Sequence, residues 1–218
     1  MLSTGNDIVS LNAINVTRTK QPNFYSKILT PTETALHHEP CFATISFEVF
    51  VWLLWSIKES AFKFTQRIYP EIIFTPVKFE VTQLQIPASF KIQAFNIEKL
   101  TGIGFDNIET IKSNISFGDY ILYSNSLIYQ EFISTVVNGA EDFSHTHWGI
   151  KQINSGEIAV QSAEVRAFLI DNLKDNINIR ISKNPLGIPI ILKDNIKQPI
   201  PVSLSHHEKF VAYSILAK

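Results

Sequence analysis

The chain has 218 residues, of which 45% are hydrophobic and 18% are charged, which is enough apolar material for a core and excludes wholesale disorder. Its formal net charge of −1 creates no overall positive field for nucleic acid, so any basic site for a phosphate must be local. A single cysteine, Cys41, excludes an internal disulfide, and with no recognisable signal peptide or bilayer-length apolar run it predicts a cytoplasmic protein.

The first predicted elements are a short strand and a short helix. Residues 8–11 are mostly apolar and predict a buried strand, with Asp7 at its start. Thr30-Pro31-Thr32-Glu33 combines a capping threonine, proline at the first helical position and glutamate at the third, which predicts a helix start with a capping box. Pro40 ends this helix.

The next element is a long helix, predicted from about Phe47 to Arg67. Apolar residues recur along it at steps of three and four, which places them on one buried face: Phe50, Leu54, Ile57, Ala61 and Phe64. Glu59 and Lys63 are four residues apart and share a different face, whereas Lys58 is predicted at the rim. On these residues alone, both a surface ion pair and a face that binds phosphate and metal fit the pattern.

The remaining chain predicts a β-rich middle, a last helix and closing strands. Alternating apolar residues predict strands near residues 77–81, 90–95, 115–117, 120–123, 127–132, 147–153 and 158–160. Ser124-Asn125-Ser126 and Asn138-Gly139 are turn signals. Ser162 is predicted to cap the last helix, and further strands are expected near residues 177–181, 188–192, 202–207 and 210–216. This order predicts an α+β fold with helices segregated from mostly antiparallel strands.

Four short motifs stand in a fixed order along the chain. They are Gly5-Asn6-Asp7-Ile8-Val9, Trp55-Ser56-Ile57-Lys58-Glu59-Ser60-Ala61-Phe62-Lys63, Asn184-Pro185-Leu186-Gly187-Ile188-Pro189 and Ser203-Leu204-Ser205-His206. In this order they resemble the G-x-D-I-V, K-E-A/S-x-x-K, G-x-P and S-x-S-H motifs of the 4′-phosphopantetheinyl transferase superfamily. The segment Leu29-Thr30-Pro31-Thr32-Glu33 is similar to that family's L-T-P-x-E helix start. The resemblance covers residues 5–81 and about 160–216.

The resemblance implies a specific reaction and a set of site residues. Such enzymes transfer the phosphopantetheine arm of coenzyme A to a serine of an acyl, peptidyl or aryl carrier protein and release adenosine 3′,5′-bisphosphate. It implies that Asp7 and Glu59 bind Mg²⁺, a hard cation that prefers oxygen ligands. Glu59 would also act as the base for the carrier serine, and Lys63 would stabilise or protonate the leaving phosphate. Implied contacts to the coenzyme A phosphates come from Lys58, Lys63, Ser205 and His206.

The chain combines features of two types within this family. Its motif order is similar to that of the short, trimeric holo-acyl-carrier-protein synthases, whereas its length is similar to that of the two-lobed enzymes. One reading is a single domain over residues 1–218, with residues 85–155 as a β-rich insertion in a homotrimer. The other, slightly favoured, is a monomer with pseudo-two-fold lobes at residues 1–155 and 156–218 and a site at their junction.

Two positions depart from the family patterns. Val9 stands where the two-lobed members carry a second acid, so two protein carboxylates would have to suffice. Ala13 stands where the short synthases carry an arginine for the acidic carrier, so that contact is missing or has moved to Arg18, Lys20 or Lys27.

Two other functions compete with transfer. A non-catalytic relative that binds coenzyme A or a carrier protein would explain the departures at Val9 and Ala13. A metal-dependent hydrolase would instead use His145 and His147, which lie on one side of a predicted strand at a spacing that zinc sites use. No membrane or nucleic-acid partner is expected.

Overall fold

The structure is a computed structural model, and it describes residues 3–173 and 177–216. Helices within this part of the chain are α1 (Val16–Thr19), α2 (Pro22–Tyr25), α3 (Pro31–Leu36), α4 (Phe47–Gln66) and α5 (Ile158–Asp171). The strands are β1 (Thr4–Ser10), β2 (Glu80–Gln85), β3 (Lys99–Ile103), β4 (Ile111–Phe117), β5 (Tyr120–Ile128), β6 (Phe132–Asn138), β7 (Thr146–Gln152), β8 (Ile179–Lys183), β9 (Pro189–Lys193), β10 (Ile196–Lys197), β11 (Val202–His207) and β12 (Phe210–Leu216). In these described ranges, no helix has both the length and the apolar character that a membrane span requires.

The strands form three antiparallel sheets, so the predicted α+β class is confirmed. The first sheet has five strands in the order β1-β6-β5-β4-β2, and the second has four in the order β11-β12-β7-β3. A smaller sheet contains β10, β9 and β8. Strand β3 lies between β2 and β4 in sequence but pairs with β7, so the chain crosses to the second sheet and returns.

Alternation along β6 explains how the first sheet supports two cores. Ile133 and Val137 face the core under α4, whereas Phe132 and Val136 face a core shared by the two sheets. The α4 helix lies unusually close to β1, because a Cβ atom added to Gly5 would lie 2.0 Å from the Ser60 carbonyl oxygen. Any larger residue than glycine at this position would therefore push the helix away from the strand.

Three predictions in the β-rich middle are wrong, one of them because residues 127–132 span the turn between β5 and β6 and do not form one strand. Residues 90–95 form a loop with a single bridge from Gln93 to Tyr129, and its last residue, Phe95, packs against Phe132 of the first sheet. The supposed turn at residues 124–126 lies inside β5, where the Ser124 hydroxyl hydrogen-bonds to Ser113 at 2.5 Å. Neighbouring strands satisfy these polar groups, so the turn-like composition is compatible with a buried strand.

The prediction around the last helix is wrong at its start. Residues 158–160 form the first turn of α5 rather than a strand, and Glu157 rather than Ser162 is the residue before the helix. Ile158 is 75% exposed, so its apolar side chain marks no core position. Val165 and Leu169, four residues apart on α5, are buried against the second sheet. Asn138-Gly139 leads from the first sheet into the second, not into a hairpin.

A buried ion pair holds α3 on α4 and corrects the prediction for Lys58. The Lys58 ammonium lies 2.6 Å from Glu33 Oε2 and donates to the Ile28 carbonyl at 2.7 Å, with both charged side chains fully buried. Glu33 also accepts hydrogen bonds from the backbone N–H groups of Thr30 and Val81, so the predicted capping box is present. Lys58 is not at a rim, because α3 packs over its side of the helix.

Replacing Lys58 by methionine should lower the free energy of unfolding by about 3 kcal/mol, because the buried Glu33 carboxylate loses its counter-ion. Urea denaturation measures this loss. The matched control is Lys20→Met, which breaks the more exposed pair with Glu48 and should cost less than about 1 kcal/mol. Equal losses in the two variants would contradict the structural role of Lys58.

Candidate functional site

Three predicted site residues meet between β1 and α4. The Lys63 ammonium lies 3.0 Å from Asp7 Oδ1 and 3.2 Å from Glu59 Oε1. Asp7 and Gly5 share one face of β1, and the close contact of Gly5 with Ser60 brings Asp7 alongside the Glu59–Lys63 turn of the helix. Both carboxylates therefore face the same point.

The electrostatics of this cluster fit a divalent cation. Asp7 is 5% exposed, and its Oδ2 atom is buried without a hydrogen-bond partner. The pKa of Asp7 is raised to about 7, mainly by burial and to a smaller extent by Glu59, against the opposing effect of Lys63. Burial disfavours the Lys63 ammonium, but the two carboxylates outweigh that effect and raise its pKa. One ammonium thus leaves part of the acidic charge uncompensated, and Mg²⁺ takes few protein carboxylates together with phosphate and water.

A basic cleft begins at Lys63. This cavity of about 240 Å³ lies between α4, α5, the turn before β9, and β11. Four cationic side chains line it, and no carboxylate does so among the described residues; the cations are Lys63, Arg67, Arg166 and Lys183. Its apolar walls are Phe62, Val165, Ile188, Pro189 and Leu204. In a chain of net charge −1, such a concentration of positive charge favours an anionic ligand.

Burial and neighbouring positive charge change the pKa values of two groups in the cleft. Partial burial lowers the pKa of His206, and Lys63, Lys183 and Arg166 lower it further. Burial lowers the pKa of Arg67 to about 10. The Arg67 guanidinium donates from Nη2 to the Pro189 carbonyl at 3.1 Å, whereas its buried Nε has no hydrogen-bond partner. These groups are suited to phosphate, which supplies acceptors and negative charge.

The structure separates the other predicted contacts from this cleft. Lys58 is fully buried against Glu33 and does not line the cleft. Ser205 is also buried, and its hydroxyl accepts a hydrogen bond from Asn6 Nδ2 at 2.7 Å. Both were predicted as coenzyme A contacts on the basis of motif position, which does not indicate the direction of a side chain.

Sequence reasoning missed Arg67, Arg166 and Lys183. Arg67 follows Lys63 by four residues on the same helix and was therefore detectable from helical spacing. Arg166 and Lys183 stand outside any motif, and only the packing of the second half brings them to the cleft.

Among the described residues, no third ligand joins His145 and His147 at the alternative metal site. Within residues 3–173 and 177–216, no group of three or more histidine, cysteine, aspartate or glutamate side chains is placed to hold a metal ion. His147 lies in the middle of the second sheet, between Ile215 and Ile103 of the adjacent strands. This arrangement does not support the hydrolase hypothesis.

In the presence of a chelator, Asp7→Asn should melt at a higher temperature than the wild type, and the difference should widen as pH rises from about 5 to about 8. The folded protein holds a proton up to a pKa of about 7, whereas the ordinary value is 3.8, so wild-type stability falls over this interval. We expect a difference of at least about 2 °C at the higher pH, measured by calorimetry. Asp119→Asn in an exposed turn is the control. A wild type that is more stable than Asp7→Asn at every pH would contradict the prediction.

Comparison with known proteins agrees with this geometry. A family model described as the 4′-phosphopantetheinyl transferase superfamily matches residues 3–118, just over half of the 218-residue chain. No curated protein and no solved structure matches the chain. The matched region contains Asp7, Glu59 and Lys63, which meet between β1 and α4 as described above. The chain belongs to the 4′-phosphopantetheinyl transferase superfamily.

Proposed function

We propose that this protein transfers the 4′-phosphopantetheine arm of coenzyme A to a serine of an acyl or peptidyl carrier protein, with Mg²⁺, and releases adenosine 3′,5′-bisphosphate. Family membership supports phosphopantetheine transfer in general. The observation that carries the specific proposal is that Lys63 belongs both to the acid cluster and to the basic cleft. A phosphate ester bound in the cleft would therefore have its reacting end beside two carboxylates.

Coenzyme A fits the chemistry of the cleft. It carries a pyrophosphate and a separate phosphate, which match a wall containing Arg166, Lys183 and His206. Its adenine and pantetheine parts have apolar surface, which matches Phe62 and Ile188. Asp7 and Glu59 would hold the metal ion, and bound Mg²⁺ would neutralise pyrophosphate charge and polarise the phosphorus under attack.

In the proposed transfer, the carrier serine oxygen forms a bond to the phosphorus that bears the pantetheine arm, and the pyrophosphate P–O bond breaks. Glu59 accepts the serine proton. The raised pKa of Lys63 keeps its ammonium charged, so it stabilises the negative charge on the leaving phosphate instead of giving up a proton. Positioning and charge neutralisation provide most of the rate enhancement, as in phosphoryl transfer generally.

We further propose that one chain supplies the complete site as two lobes. The acids lie in the half that begins with β1 and α4 together with two of the four cleft cations, and the other two, Arg166 and Lys183, lie in the half that begins with β7 and α5. Because β7 pairs with β12 in the second sheet, the proposed boundary falls between β6 and β7 and not at residue 155. A site built in this way needs no contribution from a neighbouring subunit, which favours a monomer over a homotrimer.

The carrier protein is proposed to bind beside the N-terminal part of α4, whereas the cleft adjoins the C-terminal end of that helix. No acidic residue occurs between Asp7 and Glu33, and this segment exposes Arg18 and Lys27. It packs on α4 through a hydrogen bond from Trp52 Nε1 to Thr19 at 3.0 Å, two helical turns from Glu59. An acidic carrier surface would be attracted there, which would compensate for Ala13.

Glu59→Gln should reduce transfer at least about 100-fold, because the amide cannot accept the serine proton. An apo carrier protein is incubated with coenzyme A, Mg²⁺ and the monomeric fraction of the enzyme from size-exclusion chromatography. Mass spectrometry then measures the gain of one phosphopantetheine by the carrier. Glu71→Gln, an exposed position after α4, is the matched control and should retain the wild-type rate.

Full activity in Glu59→Gln would contradict its role as base. Coenzyme A binding without transfer to any of several carriers would favour the non-catalytic relative instead. Activity confined to a trimeric fraction would contradict the one-chain site.

Two pairs of substitutions should separate the binding surfaces for the two substrates. Arg166→Ala and Lys183→Ala should each raise the KM for coenzyme A roughly tenfold, since each removes a charge from the cleft. Arg18→Ala and Lys27→Ala should instead raise the KM for the carrier and leave that for coenzyme A unchanged. Steady-state kinetics with each substrate varied in turn make each pair the control for the other. Equal effects of both pairs on coenzyme A would show that the assignment of the two surfaces is wrong.

A further inference from the structure

The edge of β1 that is not paired with β6 is joined to the second sheet by side chains of β11 rather than by a strand ladder. The Asn6 backbone N–H donates to Ser203 Oγ at 2.9 Å, and the Asn6 side chain donates from Nδ2 to Ser205 Oγ at 2.7 Å. Further along the same edge, the Ser10 backbone N–H donates to His207 Nδ1 at 3.1 Å. We call these contacts of Asn6 and Ser10 with Ser203, Ser205 and His207 the β1–β11 clamp.

Alternate residues of β11 form the clamp, and the cleft is lined by the residues between them together with Ser203. Successive side chains in a strand point to opposite faces, so Ser203, Ser205 and His207 face β1 together. Leu204 and His206 lie between them and line the cleft. Ser205 and His207, the two neighbours of His206 in sequence, are therefore both hydrogen-bonded to β1. A shift of one residue along β11 would exchange the two faces and remove His206 from the cleft.

The position of Asn6 connects the clamp to the acid cluster. Asn6 precedes Asp7 and is fully buried, although its Oδ1 atom has no hydrogen-bond partner. Apolar side chains at positions 6 and 205 would leave no side-chain polar atom unsatisfied there, so the Asn6 amide gives up some stability. The hydrogen bonds from Asn6 to the two serines of β11 instead define a register between strands. They align β1, which bears Asp7, with β11, which bears His206.

We propose that Asn6 and Ser205 are positioning residues that hold His206 and the cleft at a fixed distance from Asp7 and Glu59, so that the cofactor phosphates and the metal ion occupy one site. The proposal rests on the proposed function, because it assumes coenzyme A in the cleft and Mg²⁺ at the two acids. It assigns the second serine of the S-x-S-H motif to the junction and not to a contact with the cofactor.

The decisive experiment measures coenzyme A affinity by calorimetry with and without Mg²⁺. In the wild type, Mg²⁺ should increase the affinity, since both ligands share the same phosphates. Ser205→Ala should keep the Mg²⁺-free affinity within about twofold and lose most of the gain from Mg²⁺. In transfer assays it should lower kcat roughly tenfold with little change in the KM for coenzyme A. The double variant Asn6→Ala/Ser205→Ala should resemble Ser205→Ala, since the second change removes an interaction already lost.

A second hydrogen bond across the same junction provides the control. Thr4 Oγ1 and Ser214 Oγ lie 2.9 Å apart and join β1 to β12, with both residues fully buried. Ser214→Ala should lower the melting temperature about as much as Ser205→Ala but should leave the gain in affinity from Mg²⁺ and kcat unchanged. Equal effects of the two serine variants on that gain, or an intact gain in Ser205→Ala, would overturn the positioning role.

The outcomes also separate this inference from the proposed function. Normal transfer with an intact Mg²⁺ effect in Ser205→Ala would reject the clamp alone. The wild type could instead bind coenzyme A more tightly with Mg²⁺, lose this effect in Ser205→Ala, and yet transfer nothing. That outcome would reject the proposed function alone. A wild type that does not bind coenzyme A would reject both.

Discussion

The whole site depends on the sharing of one ammonium by two carboxylates. Lys63 contacts both Asp7 and Glu59, and it is also the residue at which the basic cleft begins. Because Asp7 is almost completely buried, its charge is expensive unless a cation is close. Lys63 supplies only part of that compensation, so the cluster stores an unfavourable interaction that a metal ion and its phosphate ligands would relieve. Buried negative charge that is only partly compensated is typical of functional sites and uncommon in purely structural ion pairs.

Glu33 and Lys58 show the contrast within the same helix. This pair is more deeply buried than the Asp7–Lys63 pair, yet Glu33 also accepts backbone hydrogen bonds and no orphaned oxygen remains there among the described residues. The effect of this pair is to fix α3 and β2 on α4. Two consecutive residues, Lys58 and Glu59, therefore serve different purposes, because 100° of helical rotation directs one to a packed helix and the other to a partly open cluster.

How far the sequence predicted this structure depends on the range of the interactions involved. The long helix, the capping box and the meeting of Asp7, Glu59 and Lys63 follow from local spacing and motif order. The burial of Lys58 was not predictable from its helix, because it depends on the packing of α3, 25 residues earlier in the chain. The polar composition of residues 124–126 predicted a turn. These residues form part of a strand instead, because neighbours on β4 and β6 satisfy their polar groups. The cleft cations Arg166 and Lys183 come from the second half, where no local pattern distinguishes them from surface charges.

Because the site is divided between two halves of the chain, its function depends on how these halves are placed relative to each other. The first half brings the acids and two of the cleft cations, and the second brings Arg166 and Lys183, so an error in placement would separate the phosphates of a ligand from its metal ion. Apolar packing between the sheets, as at Phe95 with Phe132 and Phe210, is strong but tolerates small sliding movements. Hydrogen bonds from Asn6 to two serines of β11 are weaker in total and far more directional. We therefore regard the apolar core as the source of cohesion between the halves, and the polar junction as the source of their register.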